Sequence, residues 1–279
     1  MAGSFSNSWA LVKASANVLR MDKELMVFPL LSGVATLLIM ASFIAPVVAL
    51  GGFEILAQAD DTYLGYALGF LFYLIQYTVV FFFNSALVGA ALIRLDGGDP
   101  TVSDGLAIAS KRMGSILGYA VMAATVGMVL RAISERSGFL GRIAMGLVGM
   151  AWTLATYLAV PVLVTKDVGP IEAVKESAAL FKRTWGEQVV GNFGMGWAIV
   201  LMGLSWALVS VGLIVVAAQI SPWGVAAAAV VAVAGFLFLG LLASALKGIY
   251  TAALYRYAST GEAGYFDPGI IGNAFRPKR

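Results

Sequence analysis

The side chains of this sequence that could do chemistry are defined first by two omissions. There is no histidine and no cysteine, which excludes thiolate nucleophiles, imidazole bases, haem axial histidines, disulfides and nearly all zinc, copper or iron sites. What remains is a scatter of neutral polar groups inside long apolar stretches: Gln76 and Asn84 in one, Thr153, Thr156 and Tyr157 in another, and Asn192 at the start of a third. No Asp or Glu stands in any of these stretches, so ion coupling through an intramembrane carboxylate has no group to work with. Amides and hydroxyls in such places either tie helices together by hydrogen bonds or line a path for a lipid or a small neutral solute. No nucleophile–base pair and no metal cluster is visible, so the expectation is a non-enzymatic protein with no metal or redox cofactor.

The charged candidates fall into two groups. Lys13, Arg20, Lys111, Arg112, Lys182 and Arg183 sit on short segments with amphipathic patterning, placed to bind lipid headgroups. In the third of these segments Val174, Ala178, Phe181 and Trp185 recur at i, i+4, i+7 and i+11, one stripe of a helix, with charges on the remaining faces. Phe5, Trp9, Phe181 and Trp185 are the expected interfacial anchors. Arg131, Arg136 and Arg142 form the second group, clustered between two apolar runs with only Glu135 near. They snorkel at the ends of those runs or form a small outer anion site.

The elements that must position these groups follow from composition. The chain has 279 residues, 60% hydrophobic against 12% charged, with a mean hydropathy of +0.89, far outside the soluble range. It is an integral membrane protein of all-α class. Six spans are predicted, at about Leu25–Leu50, Tyr63–Leu95, Gly114–Ile133, Ile143–Val164, Val189–Ala218 and Val225–Leu246. The first long apolar run begins only near Leu25 and lasts about a bilayer thickness, so the opening residues are not expected to be a cleaved signal. A net charge of +3 does not point to nucleic acid, because the basic residues flank the spans rather than forming a solvated block.

Three short amphipathic segments precede span pairs. Pro100 and Pro170 each precede a Lys-Arg pair, at 111–112 and 182–183, and Ala91-Leu92-Ile93-Arg94 parallels Ala253-Leu254-Tyr255-Arg256. The predicted organisation is one membrane domain over 1–279, made of three repeated units of surface helix plus transmembrane hairpin at about 1–95, 96–165 and 166–258, with a tail at 259–279. The units are parallel because each contains two crossings. Placing both termini in the cytoplasm of a cell with a cytoplasmic (inner) membrane puts 15 of the 18 Lys and Arg residues inside, leaving Arg131, Arg136 and Arg142 outside. Gly65/Gly69 and Gly114/Gly118 match the small-xxx-small pattern for close helix packing.

The opening from Ser8 to Gly33, SWALVKASANVLRMDKELMVFPLLSG, the six apolar spans and the ending Ala274-Phe275-Arg276 resemble an uncharacterised family of prokaryotic multispan membrane proteins, a domain of unknown function. The most specific part of that resemblance is the Asp22–Leu31 patch. The rhythm of short helix and hairpin is also loosely similar to the membrane domain attached to some glycerophosphodiester phosphodiesterases. Neither resemblance carries catalytic residues to this chain. The expected function is binding of anionic membrane lipid through the amphipathic helices, organising the membrane, itself or a membrane-protein partner. The rival is a carrier or channel for a lipid or small neutral solute.

Overall fold

The computed structural model describes residues 2–49, 63–185, 195–272 and 274, without the side chains of 2–7, 64 and 66. The expected loop at 51–62, Asn192, the start of the fifth span at Val189, the Phe5 side chain and the last residues from Phe275 lie outside that description. The helices are α1 (Ala2–Met21), α2 (Val27–Ala49), α3 (Tyr63–Leu95), α4 (Val102–Lys111), α5 (Met113–Arg136), α6 (Phe139–Ala155), α7 (Ala159–Thr165), α8 (Pro170–Trp185), α9 (Gly196–Ala218), α10 (Pro222–Thr260) and α11 (Pro268–Gly272). A 3-10 turn at Lys23–Met26 leads into α2. Six helical stretches are long and apolar enough to cross a membrane, with α6 and α7 together making the fourth.

The bundle is assembled around α3, which packs on α2, α4, α5, α7 and α10. Its run Ser85-Ala86-Leu87-Val88-Gly89-Ala90-Ala91 is buried throughout, and the small side chains there let five neighbours approach closely. Three glycines mark close approaches around α3. A Cβ on Gly105 would come 2.4 Å from the Phe28 ring, one on Gly89 would come 2.9 Å from Ile108, and one on Gly248 would come 2.3 Å from Leu87. The pairs expected from the sequence do not all serve this purpose: Gly69 and Gly114 have nothing within 4 Å of a Cβ, while Gly118 meets the ring of Pro170 at 3.0 Å.

The short helices α1, α4, α8 and α11 gather at one end of the bundle, here the layered end; the span-to-span links at Ser137–Gly138 and Gln219–Ser221 form the hairpin end. Helices α1, α4 and α8 stand where short helices were expected, and α11 is an addition. Leu11, Val12, Val18 and Leu19 of α1 are buried, as are Ala173, Leu180, Phe181 and Trp185 of α8. Helix α1 packs on α9 and α10, and α8 packs on α5, α6, α7 and α10. The apolar stripes therefore contact protein.

Polar ties join separate segments at this end. The Val102 N–H donates to Glu24 Oε2 at 3.0 Å, so a side chain of the 3-10 turn satisfies one donor at the N-terminus of α4. Arg94 pairs with Asp22 at 3.4 Å and with Asp99, and Arg256 reaches Asp96 and Glu262, both at 2.8 Å. Arg112 pairs with Asp167, and Lys166 with Glu176. Asp22 is buried. Burial pushes its carboxyl above the ordinary carboxylate range while Arg94 pulls it back.

The fourth span is not the continuous helix that its hydropathy implies. It breaks at Thr156–Leu158 between α6 and α7. Pro161 is the cause: it has no N–H for the Tyr157 carbonyl, and its ring crowds that carbonyl. The Leu158 N–H donates instead to Ser177 Oγ of α8 at 2.9 Å. Broken backbone at membrane depth persists where protein buries it or where it lines a cavity.

Candidate functional site

Both conditions hold at this break. Thr153, Thr156, Tyr157 and Val160 form one face of the broken span, at i, i+3, i+4 and i+7, and line a cavity of about 310 Å³. Val80, Phe83, Asn84 and Leu87 present the same spacing from α3, and Ser244, Lys247, Gly248 and Thr251 present it from α10. Phe28, Pro29 and Ser32 at the start of α2 and Tyr119 near the start of α5 complete the wall. Every contributing stretch is the part of its span nearer the layered end. The rim residues Val80, Thr153, Ser244 and Lys247 are exposed, so the cavity opens on the lateral surface of the bundle.

Some polar groups around the cavity are committed to their own helices. Thr153 donates to the Gly149 carbonyl at 2.9 Å, Thr156 to that of Trp152 at 2.8 Å, and Thr251 to that of Lys247 at 2.8 Å. Others are not: among the described residues, the Asn84 amide, the Ser32 and Ser244 hydroxyls and the Lys247 ammonium have no hydrogen-bond partner. Lys247 is the one charged residue of the lining. A larger cleft of about 440 Å³ lies among α1, α9 and α10, but its lining of Trp9, Leu201, Met202, Trp206 and their neighbours is almost wholly apolar. Its one hydroxyl, on Ser205, donates to Leu201 of its own helix. The smaller, polar cavity is the one able to orient a ligand.

Of the six residues proposed to line a path, Asn84, Thr153, Thr156 and Tyr157 thus meet around one cavity. Gln76 does not join them; its Nε2 donates to Thr36 Oγ1 at 3.0 Å and ties α3 to α2. Asn192 is outside the description. Lys247, Tyr119, Ser32, Ser244 and Thr251 are additions. The signal for three of them was present in the sequence as Ser244, Lys247 and Thr251 at helical spacing, straddling the expected end of the sixth span at Leu246.

The candidate headgroup ligands divide. Lys13, Arg20, Lys111 and Lys182 are exposed. Arg112 is held by Asp167, and Arg183, exposed as well, donates to the Ala258 carbonyl at 3.0 Å. Trp9 is 40% exposed, in keeping with an interfacial position. The expectation for Phe181 and Trp185 is corrected: they are 5% and 1% exposed, Trp185 Nε1 donates to the Ile271 carbonyl at 3.3 Å, and the two rings pack 5.3 Å apart. They anchor α8 to protein. At the hairpin end Arg131 pairs with Glu135 at 2.7 Å and donates to the Tyr73 hydroxyl at 3.1 Å. Arg136 and Arg142 are both exposed.

No curated protein and no solved structure matches the chain. Residues 63–265 match a family of unknown function, DUF6159. That stretch exceeds half of the chain and contains most of the cavity lining, and the chain belongs to this family. The match begins after the Asp22–Leu31 patch, so the most specific part of the resemblance seen in the sequence lies outside it. The looser similarity to the phosphodiesterase-attached membrane domain has no counterpart in these matches.

Proposed function

We propose that this multi-pass DUF6159 protein is a non-enzymatic lipid-binding protein that takes the polar end of a membrane amphiphile into the cavity beneath its layered end. The observation that supports this most is the convergence of polar faces from α3, the broken fourth span and α10 on one laterally open cavity. A site at membrane depth, reached from the side, favours a ligand that already resides in the bilayer over one that arrives from water. The cavity volume is at the low end for ligand sites, enough for a headgroup while acyl chains remain outside against the exposed apolar spans. The layered end is assigned to the cytoplasmic side from the distribution of basic residues. A reporter fused after Arg279 is expected to be active only inside the cell.

The reading centred on the surface helices is narrowed by the same packing. With the apolar stripes of α1 and α8 against protein, those helices have little left to insert into lipid. The exposed Lys13, Arg20, Lys111 and Lys182 still favour an anionic leaflet, each by about 1 kcal/mol near the surface. They support attraction of the layered end to such a leaflet as the second reading, with membrane or partner organisation as its consequence. Native mass spectrometry of the protein released from mild detergent separates the two. Ser244→Phe, which fills the cavity, is expected to remove tightly held lipid, and neutralising Lys13, Lys111 and Lys182 is expected to leave it. The opposite pattern would favour the surface reading.

A further inference from the structure

We propose that the cavity recognises an anionic headgroup, a phosphate or carboxylate carried by a membrane amphiphile, and that Lys247 is the group that recognises it. This rests on the reading of the cavity as a lipid site and adds the charge of its occupant. The first support is the charge of the lining. Lys247 makes no ion pair or hydrogen bond through its ammonium among the described residues, and no acid lines the cavity.

The second support is the balance of donors and acceptors. The uncommitted groups are an ammonium, a carboxamide and two hydroxyls, on Lys247, Asn84, Ser32 and Ser244. All can donate. An anionic headgroup needs several donors and one positive charge, which this wall supplies, whereas a cationic headgroup, though it could meet the rings of Phe28, Phe81, Phe83, Tyr119 and Tyr157, would face the Lys247 charge with no acid to offset it. Gly248 brings the donors together: its missing side chain lets α10 close against Leu87 of α3, and Asn84 Oδ1 lies 3.7 Å from where its Cβ would stand.

Depth is the third support. Lys247 lies 25 residues beyond Pro222 on the unbroken helix α10, roughly 38 Å along its axis at ~1.5 Å per residue. A hydrocarbon core is ~30 Å thick, so with Pro222 near one interface Lys247 stands at the headgroup level of the other. A lysine there lies where lipid phosphates are, and α3 and the broken fourth span bring their polar faces to it.

The test uses the full chain in mild detergent, titrated with phosphatidylglycerol and with phosphatidylcholine of the same acyl chains, with bound lipid counted by native mass spectrometry. The wild-type protein is expected to retain one phosphatidylglycerol with about a tenfold preference, the scale of one charge-assisted hydrogen bond. Lys247→Gln should abolish that preference, Lys247→Arg should keep most of it, and Lys111→Gln should leave it unchanged. Equal retention of the two lipids by the wild type, a preference surviving in Lys247→Gln, or an equal loss in Lys111→Gln would overturn the assignment. Displacement of the lipid by millimolar inorganic phosphate would also overturn it, by making the occupant a free anion. Ser244→Phe separates the two levels of failure. If it releases both lipids while Lys247→Gln keeps the preference, only the anionic assignment falls; if it releases neither, the lipid site falls as well.

Discussion

Two tryptophans show how differently the ends of this bundle are built. Trp185, at the layered end, is 1% exposed and donates its indole N–H to Ile271. Trp223, at the hairpin end, is 84% exposed beside Ile220 at 77%. The same contrast runs through the charges. Arg94, Arg112 and Arg256 are ion-paired to carboxylates outside their own helices, while Arg131 pairs only within its own helix and with Tyr73. Both ends are rich in apolar residues, so hydrophobicity does not distinguish them. What distinguishes them is the additional layer of short helices and the small residues of α3 that let it close down. A membrane supplies apolar contact wherever protein does not, so the hairpin end can stay open, and the end that closes is the one that acquires a shaped polar cavity.

The largest expected effect probes that contrast directly. Trp185→Ala removes a fully enclosed side chain and is expected to lower stability by about 3–5 kcal/mol, whereas Trp223→Ala, facing lipid or its interface, should change it little. Denaturant unfolding in detergent, followed by helicity, measures both. Equal effects would mean that the layered end is not a packed core.

Close approach gives the next test. Gly105→Ala places a Cβ 2.4 Å from Phe28 and 2.7 Å from the Ala86 carbonyl, an overpacking expected to cost about 1–3 kcal/mol. At Gly203, where nothing lies within 4 Å, the same change should stabilise by up to about 1 kcal/mol through helix propensity. Thermal unfolding of the two variants should therefore move in opposite directions.

Removal of one hydroxyl tests the break in the fourth span. Ser177→Ala leaves the buried Leu158 N–H without its acceptor and is expected to cost about 1–3 kcal/mol. Hydrogen exchange at Leu158 should accelerate in this variant more than at the amides of α7. Ser205→Ala removes only a hydroxyl bonded back to its own helix and should be close to neutral. If Leu158 exchanges at the wild-type rate in Ser177→Ala, the hydroxyl does not hold the break.

The smallest effect compares two carboxylates within the layered end. Burial holds Asp22 above the ordinary range, so its contribution to stability is greatest below its unfolded value and is lost as pH rises through the raised folded one. Asp104 is held below the range by the backbone and hydroxyl of Thr101, so its contribution is present above the unfolded value and is lost as pH falls through the lowered one. At neutral pH Asp22→Asn should leave stability unchanged or slightly higher, and Asp104→Asn should lower it. Unfolding midpoints at pH 7 and pH 4 check the opposite slopes.

Much of the architecture was legible because it is written in hydropathy: α3 was bounded at Tyr63 and Leu95 from sequence, and the structure has the same limits. What an amphipathic stripe faces is not written there. Phe181 and Trp185 have the spacing of a lipid-seated helix and of a core helix alike, and only the neighbours at Tyr157 and Ile271, brought by distant segments, decide between them. Pro161 signalled a break in the fourth span, but apolar residues on both sides concealed it. Asn84, Thr153, Thr156 and Tyr157 could be singled out as polar groups in apolar runs. Lys247 could not be joined to them, because a lysine near a span end has the same sequence appearance whether it faces water or a cavity.

The most direct test of the lipid-site proposal is an experimental density map of the protein in a lipid nanodisc containing phosphatidylglycerol. The account predicts headgroup density within hydrogen-bond reach of Lys247 and Asn84, with chain density leaving past Val80 and Ser244 into the bilayer. A map with ordered lipid elsewhere on the spans and only water or repacked side chains between α3, the broken fourth span and α10 would contradict it.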